Sequence, residues 1–226
     1  MSEEKSRKEL LEEPDPFLVF VAKAMDFGKK YQKEIIGAVG AVVAVFIVIT
    51  GVLYYKNQTE DRAAALLGKT IARYNAVNKG ESAFAALEEV KKEFKSIVDK
   101  YGSTDAGESA LMMYADVCYQ TKTYDDAIKA YEKALDAMGK TPFRSMILNG
   151  LAYACEGKED YEQAADWFKK IATDESAVLR DQALFNLGRM YGKLGKPEQE
   201  KEALQQLVSD FPDSMYADLA GEKIAG

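Results

Sequence analysis

A chain of 226 residues, 47% of them hydrophobic, is long enough for one large domain or two small ones and too apolar to be disordered throughout. Its formal net charge of -7, with no basic run outside the segment ahead of its apolar stretch, lacks the footprint of a nucleic-acid-binding protein. Histidine is absent, and the two cysteines, Cys118 and Cys155, are too few and too widely spaced for a zinc site or a CxxC pair, so most hydrolytic, metal and redox chemistries are hard to build.

Ala, Leu, Lys and Glu dominate the second half, and only five prolines interrupt the chain, which predicts helices throughout and little or no sheet. No cofactor and no metal are implied, and no catalytic cluster is visible. An enzyme is not expected.

Near the N-terminus, Pro14 and Pro16 stop any earlier helix. Phe17, Phe20, Val21, Ala24 and Phe27 or Gly28 then recur at helical spacing, opposite Lys23, Lys30 and Lys33. Two readings of this segment stand: a helix lying in a membrane interface or against a membrane partner, and a snorkelling extension of the span that follows.

From Ile35 to Tyr55 the stretch IIGAVGAVVAVFIVITGVLYY holds no charge, and its 21 residues, at about 1.5 Å each, cover a hydrocarbon core of roughly 30 Å. The sequence predicts a transmembrane helix over 35–55. A cleaved signal peptide fits poorly, because the apolar run is longer than an h-region and follows 34 mostly polar residues. Lys29, Lys30 and Lys33 flank one end and Lys56 the other, so the positive-inside bias puts residues 1–34 in the cytoplasm and the remainder in the periplasm. Tyr31, Tyr54 and Tyr55 suit the two headgroup layers. Gly37 with Ala41 and Gly40 with Ala44 form small-xxx-small pairs of the kind that admit a second helix, a weak pattern in any span.

Beyond residue 105 the chain repeats itself. Stretches near Tyr124, Tyr161 and Pro197 align at intervals of 37 and 36 residues. The first unit places Leu111, Tyr114, Ala115 and Cys118 on one helix and Tyr124, Ala127, Tyr131, Ala134 and Leu135 on the next. The second puts Leu148, Leu151, Ala152, Cys155, Tyr161, Ala164, Phe168 and Ile171 in the same slots. The third supplies Leu184, Leu187, Gly188, Tyr191, Gly195, Leu204, Leu207 and Pro212, but carries Glu200 where the pattern wants a small residue. This resembles the tetratricopeptide repeat (TPR) closely. Small residues at 115, 152 and 188 on the first helices, and at 127 and 164 on the second, allow paired helices to approach.

Residues 60–77 and 82–101 read as a further, degenerate helix pair, and 214–225 as a solitary C-terminal capping helix. The expected fold is therefore all-α, a single N-terminal transmembrane helix followed by a right-handed TPR helical-hairpin solenoid. Its divisions are a tail with a pre-membrane helix (1–34), the span (35–55), a linker with the degenerate hairpin (56–105), and the repeats with their cap (106–226).

Carried onto this sequence, the repeat pattern implies a concave face lined by the first helix of each unit, presenting Ser109, Met112, Asp116, Tyr119, Met146, Asn149, Tyr153, Gln182, Phe185 and Arg189. Rigid aromatics and adaptable Met suit an extended peptide or a partner helix. The competing reading is that the degenerate unit or the cap covers these positions and makes them core. A basic clamp for a C-terminal carboxylate is not visible, because Met112 and Asp116 replace its polar and cationic groups.

Some motifs carry no chemistry. Gly68-Lys69-Thr70 lacks the leading glycine of a phosphate-binding loop and sits in a helical context. Asn57-Gln58-Thr59 is a glycosylation triplet of the kind that arises by chance. Cys118 and Cys155 fall in the same slot of adjacent units, where helix spacing favours buried free thiols over a disulfide.

The combination of a short tail, one span and TPR units resembles the YfgM-like ancillary subunits of the bacterial Sec translocon. That resemblance implies an inner-membrane protein whose partners are translocon subunits, exported clients or periplasmic chaperones. The alternative is a structural scaffold of another envelope complex, such as outer-membrane assembly or cell division. Oligomeric state is not legible.

Overall fold

The computed structural model describes residues 15–77 and 83–225, which form ten α-helices and no strand. They are α1 (Pro16–Lys30), α2 (Gln32–Val77), α3 (Ala83–Tyr101), α4 (Asp105–Gln120), α5 (Tyr124–Met138), α6 (Arg144–Gly157), α7 (Tyr161–Ala172), α8 (Arg180–Lys193), α9 (Pro197–Asp210) and α10 (Ala217–Ala225). Residues 1–57 and 58–226 make two separate units.

In the first unit, Asp15 caps α1 by accepting from the Phe17 N–H at 2.8 Å, and Pro16 opens the helix where a missing N–H costs nothing. Pro14 lies outside the described residues. Phe17, Leu18, Phe20, Met25 and Phe27 are all exposed, and so is every residue from Ile35 to Tyr55. The start of α2 is thus long and apolar enough to cross a bilayer, and the described residues of that stretch are exposed along its whole length. Gly68-Lys69-Thr70 lies inside α2, with Thr70 buried, and builds no phosphate loop.

In the second unit, α2 continues to Val77 without an end at residue 56. Leu67, Ile71, Tyr74 and Val77 of its last turns pack on the core, and the Tyr74 ring meets Phe94 of α3 edge-on at 6.3 Å. Glu60 reaches the start of α4, where its two carboxylate oxygens accept from the Asp105 and Ala106 N–H groups at 2.9 Å each. The Thr104 hydroxyl accepts from Gly107, so three orphan donors of that helix end are met.

The hairpins α4–α5, α6–α7 and α8–α9 follow as the repeat units, and consecutive helices pack on one another through to α10. One core runs from Leu87 to Ala220. Its largest fully buried members include Phe94, Phe168, Ile147, Leu148, Leu151, Ile171, Leu184 and Leu204, each contributing about 1.5–3 kcal/mol relative to exposure.

The repeat is also written in the backbone. Lys122, Glu159 and Gly195 have φ of 56°, 65° and 66°, and the intervals between them are again 37 and 36 residues. At each turn the following N–H bonds back to the first helix: Thr123 to the Cys118 carbonyl at 2.9 Å, Asp160 to Cys155 at 3.0 Å and Lys196 to Tyr191 at 3.0 Å. This is the left-handed helix end that lets a chain reverse with its last carbonyls satisfied.

The small residues lie where helices meet: Ala115, Ala127, Ala152 and Ala164 are fully buried. The third unit absorbs Glu200 by a different device. A β-carbon on Gly192 would stand 2.7 Å from the Glu200 carboxylate, so the glycine leaves its room, and Lys223 of α10 pairs with it at 2.7 Å.

Two further close approaches set the spacing of the first two units. Tyr131 of α5 lies over Gly150 of α6, and Tyr124 over Gly157, each ring within 2.4 Å of where a β-carbon would stand. Gly150→Ala is expected to destabilise the protein by about 1–3 kcal/mol, because the ring beneath must leave its rotamer or the hairpins must part. Gly221→Ala, with nothing within 4 Å, is expected to be neutral or slightly stabilising. Thermal unfolding followed by circular dichroism compares the two; equal midpoints would contradict the packing.

Candidate protein-binding groove

The first helices of the repeats share one face. There Asp116 and Tyr119 of α4, Met146, Asn149, Gly150 and Tyr153 of α6, and Gln182 of α8 surround a cavity of ≈ 520 Å³. Met146 is 52% exposed and Val178 at the rim 79%, so the cavity is an open groove and not core.

The other expected residues lie elsewhere. Phe185 and Arg189 line a neighbouring recess of ≈ 510 Å³ with Gly192, Lys193, Glu200 and Lys223. Tyr216, just ahead of α10, stacks on Phe185 at 5.2 Å, so the C-terminal end of the face is partly covered. Met112 packs half-buried against the core and lines neither cavity, and the Ser109 hydroxyl turns back to the Asp105 carbonyl at 3.0 Å.

Arg189 is no free cation. Its guanidinium donates to Glu156 at 2.7 Å and to the Asn186 amide oxygen at 2.6 Å. The Asn186 Nδ2 in turn donates to the Tyr153 hydroxyl at 2.9 Å, as does Gln182 Nε2 at 3.1 Å. This ladder ties α6 to α8 and fixes the Tyr153 ring, which also meets Phe168 edge-on at 5.4 Å.

Tyr131 enters from a second helix. Its ring crosses Gly150, and its hydroxyl donates to Asp116 Oδ1. Burial pushes the Asp116 carboxyl above its ordinary range, with the Tyr131 hydrogen bond pulling the other way, and burial followed by the nearby Asp116 charge holds the Tyr131 phenol well above its own. Asn149 Oδ1 is buried and has no hydrogen-bond partner among the described residues, a deficit of about 1–3 kcal/mol.

Spacing alone did not reveal Tyr131, Val178, Leu179 or Asn186. Tyr131 occupies a core slot of the pattern, and only its pairing with Gly150 at a helix crossing marks it out. Val178 and Leu179 lie in the connection between α7 and α8, outside the repeat's helical slots. Asn186, 3% exposed, sits among apolar positions where its partners could not be inferred.

Cys118 and Cys155 are free and buried. Burial raises both thiols, that of Cys155 to about 11.

Comparison with known proteins fits this geometry. Residues 108–173 and residues 182–214 each match a tetratricopeptide repeat model. Tetratricopeptide repeats are thus matched over these two stretches. A TPR repeat-containing protein of Treponema pallidum (strain Nichols) is 27% identical over 105 residues, which are 46% of this chain and 44% of that protein's length. Among solved structures, nearly identical TPR-like repeats from Podosopora anserina superpose with a TM-score of 0.57 at 13% identity, over 70% of this chain and 84% of that one. A tetratricopeptide repeat protein from Parabacteroides merdae gives a TM-score of 0.57 at 17% identity, over 74% of this chain and 59% of that one. For Pseudomonas aeruginosa pilF the values are 0.52 and 18%, over 75% and 68%. At these identities the structures speak for the fold alone: an all-α stack of TPR hairpins. TPR units bind proteins.

Two outcomes follow from the groove. Tyr153→Phe leaves the buried Asn186 amide without its acceptor and is expected to cost about 1–3 kcal/mol, read as a fall of several degrees in thermal midpoint. For Cys155, a folded pKa above the unfolded value of about 8.5 means a stabilising contribution complete below that pH and lost as pH rises through about 11. Urea midpoints between pH 8 and 11 are therefore expected to fall less steeply in Cys155→Ala than in the unmodified protein.

Proposed function

We propose that the protein is a non-enzymatic protein-binding module held in the bacterial inner membrane. Residues 35–55 cross the bilayer, residues 1–34 stay in the cytoplasm, and the TPR hairpins work in the periplasm, where the groove receives a segment of a partner protein.

The observation that carries the binding reading is the open cavity between α4, α6 and α8, with aromatic and Met walls and, among the described residues, a buried amide oxygen without a partner. Anchoring is supported by the uninterrupted exposure of the 35–55 stretch: an apolar surface this long needs a cover, and a bilayer matches its length. The exposed aromatics of α1, with Lys29 and Lys30 in its last turn, suit the inner interface.

Among protein partners we favour the Sec translocon and its exported clients or chaperones, on the architecture of tail, span and TPR hairpins. An open, Met-bearing groove serves varied clients better than a groove shaped to one ligand. Capture of the tagged full-length chain in mild detergent under reversible crosslinking, followed by mass spectrometry, is expected to return Sec channel subunits and periplasmic chaperones. Retrieval of a single unrelated envelope assembly, with no Sec component, would overturn the translocon reading in favour of a scaffold.

A further inference from the structure

The cationic and amide groups nearest the cavity are engaged with one another. Gln182 and the buried Asn186 each donate one amide N–H to the Tyr153 hydroxyl, and Arg189, in the neighbouring recess, is paired with Glu156 and Asn186. The charge that remains at the cavity is negative. Asp116 is the one formally charged residue among those lining it; one of its oxygens takes the Tyr131 hydrogen, and among the described residues no cationic side chain is paired with it. Asn149 adds its unpartnered buried oxygen. Beside them the Tyr119 and Tyr153 rings stand 6.5 Å apart at 49°, and Met146, Val178 and Leu179 supply an apolar border.

A pocket whose one charged side chain is a carboxylate, set beside aromatic walls, selects a cation. A carboxylate and an amide oxygen in one pocket are best met together by a planar fork of several N–H donors, which can also lie against a tyrosine face. An ammonium carries its charge at one point and is held more tightly by water. An acidic segment would bring a like charge to Asp116.

We propose that this cavity seats an arginine side chain of the bound protein segment, with apolar neighbours of that arginine on Met146, Val178 and Leu179. The inference rests on the reading of the groove as a peptide site and names the residue it prefers. Asp116 supplies the charge, Asn149 the second acceptor, and Tyr119 and Tyr153 the stacking surfaces. Tyr131 is a positioning residue that holds the Asp116 carboxylate from below.

The test uses the full-length protein in detergent micelles and fluorescent peptides of one apolar sequence carrying a central arginine, its neutral isostere citrulline, lysine or glutamate, with affinity read by anisotropy. The arginine peptide is expected to bind roughly tenfold or more tighter than the citrulline peptide, with lysine between them and glutamate weakest. This comparison needs no variant. In Asp116→Asn, which keeps an oxygen for the Tyr131 hydroxyl, the preference for arginine over citrulline is expected to vanish. Equal binding of arginine and citrulline peptides to the unmodified protein, or a preference that survives Asp116→Asn, would overturn the arginine seat and leave the peptide groove standing. Failure of all four peptides to bind would overturn the groove itself.

Discussion

Beneath the Tyr131 ring there is room for a hydrogen atom and for no carbon. That contact with Gly150, repeated two turns away by Tyr124 on Gly157, sets how near the first repeat comes to the second. Gly188, with Leu204 2.9 Å from its would-be β-carbon, does the same inside the third unit. Hairpins held this close share a continuous core, which is how a chain of repeats too small to fold singly becomes stable. The same approach carries the Tyr131 hydroxyl through to Asp116 on the open face, so the packing that closes the core also furnishes the groove.

The repeat was legible because its cause is periodic. Slots 115, 152 and 188 must be small wherever a partner helix crosses, and the turn residues 122, 159 and 195 must take the left-handed conformation for the chain to reverse, so both recur at the same 37- and 36-residue intervals. The groove was legible in part. Asp116, Tyr119, Met146, Asn149 and Tyr153 were named by carrying the repeat pattern onto the sequence, and they line one cavity. Met112 and Arg189 show the limit of that inference. Register gives a direction for a side chain but not the partners it finds there, and Arg189 finds Glu156 and Asn186. Glu60 was invisible for a related reason: its role as a cap for α4 depends on a contact between residues 45 positions apart.

Tail, apolar helix and groove make a coherent instrument under the proposed function. A binding face tethered at a membrane meets clients at high effective concentration as they emerge, and moderate affinity then suffices. An open groove with one charged seat would give such a tether a preference without demanding a fixed sequence. The C-terminal recess, half-covered by Tyr216 and crossed by the Lys223–Glu200 pair, is better suited to closing the stack than to extending the groove.

The central claim is that this protein meets its partners through the face formed by α4, α6 and α8. A photocrosslinking amino acid placed at Met146, exposed on that face, and separately at Asp166, exposed on α7 and outside the cavity lining, tests it in living cells. The account predicts discrete protein adducts from position 146 and none in common from position 166. Identical adducts from both positions, or adducts from 166 alone, would contradict it.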